Sequence, residues 1–296
     1  MTQAEIESFL AVCRYRTLTK AAEHLYISQS SLSIRLRTLE RELGGALFQR
    51  KKGRREITLT PEGKTFYDLA VQYESISNQM LHVFDNQQRL LRISSLNSIG
   101  SFLLPGVYDT FLEQYPDTEL EIQDMEKDAA SISIQRGLTD LAFTTGVAVA
   151  QSLKTIHGFS EEMTLICPVD ANYPEQVRIA SLPIRNEIYV PWSVPFIQWH
   201  QRIFGITTQP QVSVSVMEQL RLFMKKKQSW AIVPVSVANG LEETVAIRRC
   251  STVEPIPHRD VYCIMSEEAS TPAIDLFLAC LRETLEQMPG IKTHLE

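Results

Sequence analysis

Apolar residues near the start of the chain recur on a helical period. Ile6, Phe9, Leu10 and Cys13 fall at i, i+3, i+4 and i+7, which predicts a helix with one buried stripe. Thr19 is placed to cap a short second helix, Lys20–Leu25, burying Ala22 and Leu25. Ser28 caps a third, in which Leu32, Leu36, Leu39 and Leu43 share one arc and Gly44-Gly45 brings the helix to an end. The opposite arc carries Ser30, Ser33, Ile34, Arg37 and Arg41, with Gln29 in the first turn. Two short helices, the second polar on its outer face, form a helix-turn-helix pattern. Its second helix offers N-terminal side chains to base edges in a major groove.

A turn crowded with cations follows. Arg50, Lys51, Lys52, Arg54 and Arg55 surround Gly53, and Glu56-Ile57-Thr58-Leu59 predicts the returning strand of a hairpin. Alone, such a loop is more often solvated surface. Beside a helix-turn-helix it reads as the wing of a winged helix, placed to meet phosphates. Thr60 is then an N-cap and Pro61 sits at N1, where its missing N–H is not needed. Phe66, Leu69, Ala70, Tyr73, Ile76, Met80, Val83 and Phe84 continue as an apolar stripe, so one helix is expected from there to about residue 89. A stripe of this kind packs on its own domain or on a partner helix; the length and the position between two domains favour a partner from a second subunit.

From about residue 90 short apolar runs alternate with helical stretches. The runs Leu91–Leu96, Leu120–Gln123, Leu141–Thr144, Met163–Cys167, Val212–Val216, Ala231–Val233 and Val261–Met265 predict strands. Phe102–Tyr115, Met217–Lys226 and Ala273–Met288 predict helices, and the alternation predicts an α/β body with largely parallel sheets.

Composition narrows the function classes. With 296 residues, 44% hydrophobic and 22% charged, the chain has a globular core and is neither disordered nor fibrous. No stretch approaches the roughly 20 apolar residues of a membrane helix. The opening MTQAEIESFL carries Glu5 and Glu7 where a secretory signal would be basic. Five unevenly spaced cysteines suit reduced thiols, so a cytoplasmic protein without membrane contact is expected. The net charge of −6 conceals an asymmetry: residues 1–60 hold 11 Lys/Arg against 6 Asp/Glu (net +5), the remainder 18 against 29 (net −11). A basic nucleic-acid-binding module on an acidic body accounts for that split. GxGxxG, GxxxxGK[ST], HExxH and GxSxG are all missing, and the six His and five Cys do not fall at metal-ligand spacing. No enzyme activity, cofactor or metal is expected.

Phe9-Leu-Ala-Val, Thr19-Lys-Ala-Ala-Glu-His-Leu, Ile27-Ser-Gln-Ser-Ser-Leu-Ser, Leu39-Glu-Arg-Glu-Leu-Gly, Leu47-Phe-Gln-Arg50 and Leu59-Thr-Pro-Glu-Gly63 together resemble the signature of LysR-type transcriptional regulators. The resemblance runs through about sixty residues with the family's spacing and continues more weakly, but co-linearly, beyond them. It implies an α/β chain with an N-terminal winged helix-turn-helix (1–60), a long dimerisation linker helix (61–89) and a two-lobed effector domain like periplasmic solute-binding proteins (90–296). Lobe I would combine 90–162 with 266–296, and lobe II would be 163–265, with crossings near Met163 and Met265. Gln29, Ser30 and Ser33 are implied to lie against base edges and Arg50 on a phosphate. Ile34 departs from the usual polar residue and suits an apolar contact such as a thymine methyl. The partners implied are double-stranded promoter DNA, RNA polymerase, a small-molecule effector and further copies of the chain, as homodimer or homotetramer.

The effector is expected between the lobes. Ser98, Ile99, Gly100 and Ser101 follow the first strand of the body, where backbone N–H groups at a helix start suit an anion. Asp128 and Ser131 open another helix, and Thr144-Thr145 ends another strand. The resemblance places these three segments around the ligand, with Pro191–Phe196 (Trp192, Ser193 and Phe196 among them) and the turn at Met217 across the cleft. Ser98 and Ser101 serve equally well as helix caps, and Trp192, Phe196 and Trp199 as core. A small, partly apolar ligand is expected, a carboxylate among the candidates. Cys250 and Cys263 raise a thiol switch by analogy with peroxide-sensing members of the family; the apolar strand around Cys263 points rather to a buried structural thiol.

Overall fold

The computed structural model describes residues 1–49, 57–81, 90–207, 209–267 and 271–295, in two compact units. The N-terminal unit contains α1 (Gln3–Tyr15), α2 (Leu18–His24), α3 (Gln29–Leu43), β1 (Phe48–Gln49), β2 (Thr58–Leu59) and α4 (Pro61–Leu81). Ile6, Phe9, Leu10, Ala21, Ala22, Leu32, Leu36, Leu39, Leu47 and Ala70 form its core. Phe9 sits at the centre, its ring 4.9 Å from that of Phe66 in an edge contact and 5.2 Å from that of Phe48. Two details depart from expectation. The cap of α2 is Thr17, whose hydroxyl accepts from the Lys20 N–H, so the helix begins two residues earlier than a Thr19 cap requires. Leu43, in the last turn of α3, is 45% exposed, because the core that takes Leu32, Leu36 and Leu39 ends before it. Gly44 closes α3 in the left-handed conformation at φ 75°, which a residue with a Cβ adopts poorly.

β1 and β2 pair antiparallel, with Phe48 opposite Leu59. The junction to α4 is tight. Thr60 N donates to the Leu47 carbonyl at 2.9 Å, while the Thr60 hydroxyl donates to the Ala46 carbonyl and accepts from Gly63 N, both at 2.9 Å. The apolar stripe of α4 divides: Phe66, Ala70 and Val71 pack into the N-terminal core, whereas Leu69, Tyr73, Ile76 and Met80 are exposed. Val83 and Phe84 lie outside the described residues.

The C-terminal unit begins with β3 (Leu90–Ser95), α5 (Asn97–Phe102), α6 (Leu104–Gln114), β4 (Glu119–Asp124), α7 (Lys127–Gln135), β5 (Leu141–Thr144) and β6 (Leu153–Glu161). Next come β7 (Met163–Pro168), β8 (Gln176–Val177), β9 (Ile188–Tyr189), α8 (Val194–Phe204), β10 (Val212–Ser213), α9 (Met217–Phe223), β11 (Ala231–Pro234), α10 (Val235–Glu242) and β12 (Ile247–Thr252). β13 (Arg259–Ser266), α11 (Pro272–Glu286) and β14 (Ile291–Thr293) complete it.

Two lobes follow from the sheets. The first holds six strands in the order β14-β6-β13-β5-β3-β4; the second holds four, β11-β7-β12-β8, beside the parallel pair β9 and β10. The sheets are mixed, which corrects the expectation of largely parallel ones. β3 is parallel to β4 and β5, but β13 is antiparallel to β5 and β6, and β7 is antiparallel to β11 and β12. The chain enters the second lobe between β6 and β7, at Glu162. It returns before Arg259 rather than near Met265, because all of β13 belongs to the six-stranded sheet. The pattern concealed this: the strand opens with Arg259 and Asp260, which look like loop residues.

Candidate functional site

The start of α3 is built by its cap. The Ser28 hydroxyl accepts from Ser31 N at 3.1 Å and lies 2.8 Å from the hydroxyls of both Ser30 and Ser31, which fixes the first turn. Gln29, Ser30 and Arg37 are exposed, Ser33 is half-buried, and Ile34 is 61% exposed, a large apolar side chain presented to solvent among polar neighbours. Arg50, Lys51, Lys52, Arg54 and Arg55 lie outside the described residues.

Two residues that the sequence did not single out shape this face. Tyr26, in the turn between α2 and α3, has φ 54° and is 97% exposed. Left-handed backbone is unfavourable for an aromatic residue, and the turn holds it by Tyr26 N to Glu23 O at 3.1 Å and Ile27 N to Ala22 O at 3.0 Å. Glu40, on α3, accepts from Leu47 N at 2.9 Å and Phe48 N at 3.3 Å, tying β1 to the helix that bears the polar face. Tyr26 stands in a turn between capped helices, a place the helical periodicity does not describe, and Glu40 reads as an ordinary solvated charge.

Within the C-terminal unit the lobes meet at several places among the described residues, three of which involve predicted site residues or their neighbours. Met217 N donates to Asn97 Oδ1 at 3.0 Å. The Phe102 ring lies so close to Gly240 that a Cβ there would overlap it. The third contact is Arg259, 1% exposed. Its Nε donates to Glu161 Oε2 at 2.9 Å, its Nη2 to the same oxygen, and its Nη1 to the Ser98 hydroxyl at 2.8 Å, while Cζ stands 5.4 Å from the centre of the Trp192 ring. Glu161 is fully buried, and its Oε1 has no hydrogen-bond partner among the described residues.

Ser98 and Trp192 therefore converge, through an arginine the sequence reading left out. Ser98 does not cap α5: Leu96 holds the N-cap position without a side-chain bond. The N–H groups of Ile99 and Gly100 donate to Leu96 O at 2.9 and 3.0 Å, so they do not point outward to an anion. Ile99 is core, and Ser101 is exposed. Asp128 is exposed beside Lys127 at 3.5 Å, and the Ser131 hydroxyl donates to Lys127 O within its own helix. Thr144 is buried and donates to Gly146 O at 2.8 Å; Thr145 is half-buried. Trp192 Nε1 donates to Ile232 O at 2.7 Å, the Ser193 hydroxyl caps α8 by accepting from Phe196 N, and Phe196 packs in the second lobe's core. Met217 is buried at the start of α9.

That lobe also buries a Glu187–His200 pair at 2.9 Å; desolvation pushes the Glu187 carboxyl above its usual range, against the opposing pull of His200. Cys250 and Cys263 lie in different sheets and form no pair. Cys250 Sγ is instead 3.7 Å from Cys167 Sγ, and burial pushes the Cys167 thiol up to about 12. Among the described residues no cluster of His, Cys, Asp and Glu could hold a metal, and no helix is long and apolar enough to cross a membrane.

Residues 4–64 match the family described as bacterial regulatory helix-turn-helix protein, lysR family, and residues 85–286 match the LysR substrate binding domain. The HTH-type transcriptional regulator BenM of Acinetobacter baylyi is 31% identical over 146 residues, 48% of this chain and 47% of that protein. A probable RuBisCO transcriptional regulator of Cyanidioschyzon merolae is 29% identical over 176 residues, 57% of each. The chain thus spans about half the length of these curated relatives. The crystal structure of CbnR, a LysR family transcriptional regulator, superposes with a TM-score of 0.75 at 18% identity, covering 96% of this chain and 100% of that one. The two family matches fall in order on the basic helix-turn-helix unit and on the two-lobed unit, and the chain belongs to the LysR family.

Proposed function

We propose that this chain is a sequence-specific DNA-binding transcriptional regulator whose response at a promoter is set by a small molecule bound between the two lobes. The observation that carries the reading is the outer face of α3: Gln29 and Ser30 in its first turn, and Ile34 and Arg37 in the turns that follow, are presented to solvent on a well-capped helix in a basic unit. The domain order supports it, as does the likeness to CbnR, which has also been solved with its target DNA. The protein works in the cytoplasm as a homodimer or homotetramer, with RNA polymerase as its partner at the promoter. The reading is tested by a gel shift on a short, partly palindromic duplex from the DNA flanking its own gene, against a scrambled duplex of equal length. Equal affinity for both would overturn it.

Base reading by Gln29 predicts that Gln29→Ala costs about 1–3 kcal/mol on the preferred duplex and relaxes preference at one position of each half-site. Arg50→Ala, by removing one phosphate contact, lowers affinity for all duplexes alike and reduces the salt slope by about one. Titrations at several salt concentrations separate the two. An unchanged sequence preference in a folded Gln29→Ala protein counts against the assignment.

The second copy docks on α4, where Leu69, Tyr73, Ile76 and Met80 form an exposed apolar face. Ile76→Glu with Met80→Lys removes two apolar side chains that the second copy would bury, worth about 1.5–3 kcal/mol each when fully buried, and places charge at the contact. Light scattering should show a smaller assembly, and affinity for the full site should fall while binding to a half-site persists. Intact dimers with full affinity would refute it.

A further inference from the structure

Arg259 and Glu161 are register partners on β13 and β6, the two strands beside which the chain passes between the lobes. Their pair forms a buried floor on which Ser98 of one lobe and Trp192 of the other each contact the guanidinium. A guanidinium has five N–H donors. Two of Arg259's go to Glu161 and one to Ser98, which leaves two unassigned among the described residues. Glu161 spends Oε2 on the arginine and leaves Oε1 unpartnered in a position closed to water. Buried polar atoms are almost always satisfied, so an orphaned carboxylate oxygen beside spare guanidinium N–H groups requires a reason.

Charge decides what could complete the pair. The floor already holds one positive and one negative group in contact and excludes solvent. A monoanionic ligand would leave one uncompensated negative charge there, which is strongly unfavourable in a desolvated site. A molecule with no net charge keeps the balance. To satisfy both groups it must carry an acceptor for the Arg259 N–H groups and a donor for Glu161 Oε1, as an amide, a hydroxyl-bearing carbonyl compound or a zwitterionic amino acid does.

We infer that Arg259 and Glu161 are the specificity-determining residues of the interlobe site, and that they select an uncharged or zwitterionic ligand bearing a donor and an acceptor side by side. This rests on the reading of the cleft as the effector site and departs from the expectation of a simple carboxylate. Ligand entry draws Arg259 away from Trp192, which loosens one of the contacts between the lobes. Binding and lobe geometry are thereby coupled through one side chain.

Three probes of similar size test the charge rule on the full chain: propionamide (neutral), alanine (zwitterionic) and propionate (anionic), each titrated to millimolar concentration by thermal shift and tryptophan fluorescence. In the wild type, propionamide or alanine should bind at least about tenfold more tightly than propionate. Glu161→Gln leaves the floor with one net positive charge, so propionate should overtake the other two. A purely structural ion pair would give neither the order nor the reversal. Propionate binding as well as the others in the wild type, an order unchanged by Glu161→Gln, or no binding by any probe overturns the inference; the wild-type comparison stands even if the variant does not fold. Gel shifts with each probe keep the two readings apart. Neutral-first binding that leaves the DNA complex unaltered supports the site and removes its regulatory role, whereas a DNA response to propionate alone keeps the regulatory role and removes the charge rule.

Discussion

Gly63→Ala is expected to unfold the N-terminal unit at temperatures where the wild type is intact. In most exposed helices, exchanging glycine for alanine stabilises by up to about 1 kcal/mol. Here a Cβ would overlap the Leu47 carbonyl oxygen and come within 3.2 Å of Leu59 Cδ2. That carbonyl cannot retreat easily, because it accepts from Thr60 N at 2.9 Å in the link that ties α4 to β1. Relief requires moving backbone, and overpacking of that kind costs about 3 kcal/mol. Steric overlap therefore outweighs helix propensity. Urea unfolding followed by circular dichroism should show a lowered first transition, with operator affinity lost in parallel. A wild-type midpoint with full DNA binding would mean that α4 can shift from β1 at little cost.

Arg259→Met should be the most damaging single change in the two-lobed unit. It leaves Glu161 fully buried without a counter-charge and removes the partner of Ser98. Breaking one side of a buried pair costs about 3–5 kcal/mol, whereas replacing both sides with apolar residues of similar volume is often near neutral. The double variant Arg259→Met with Glu161→Leu should accordingly recover most of the stability lost by the single one. Strict additivity of the two changes in denaturant unfolding would show that the residues are not coupled.

Local chemistry made much of the fold legible. Ser28 and Gly44 bracket α3 as caps do in any protein, and Leu32, Leu36 and Leu39 are buried as their spacing requires. The errors arise where two local choices are nearly equivalent. Thr17 and Thr19 are both adequate caps on either side of Leu18, and packing of the first two helices selects Thr17. β6, which the apolar runs did not reveal, alternates polar residues through Lys154, Thr155 and His157; its Gly158 leaves room for Cys263 on the neighbouring strand, where a Cβ would stand 2.8 Å from the sulfur. The site was less legible than the fold. Ser98 and Trp192 were visible as a hydroxyl after a strand and an aromatic in a loop. Arg259 was not, because a charged residue is expected in water until its partner 98 residues away is known.

The strand order carries a consequence for biosynthesis. β13 lies between β5 and β6, yet the ribosome makes it only after the whole second lobe has been synthesised. Until then β5 has β3 on one side but lacks its second neighbour, and the buried faces of Phe143 and Phe159 have no Val261 or Cys263 to complete their layer. The second lobe, continuous in sequence, has all of its strands in hand first. The later-made lobe therefore folds ahead of the earlier-begun one, and the nascent chain passes through a stage in which a half-built sheet edge is open to unintended strand pairing. Stalling the ribosome at a point where residues up to 258 have cleared the exit tunnel but β13 has not should trap that stage as a chaperone-binding, protease-sensitive segment from β3 to β6 attached to a protease-resistant second lobe.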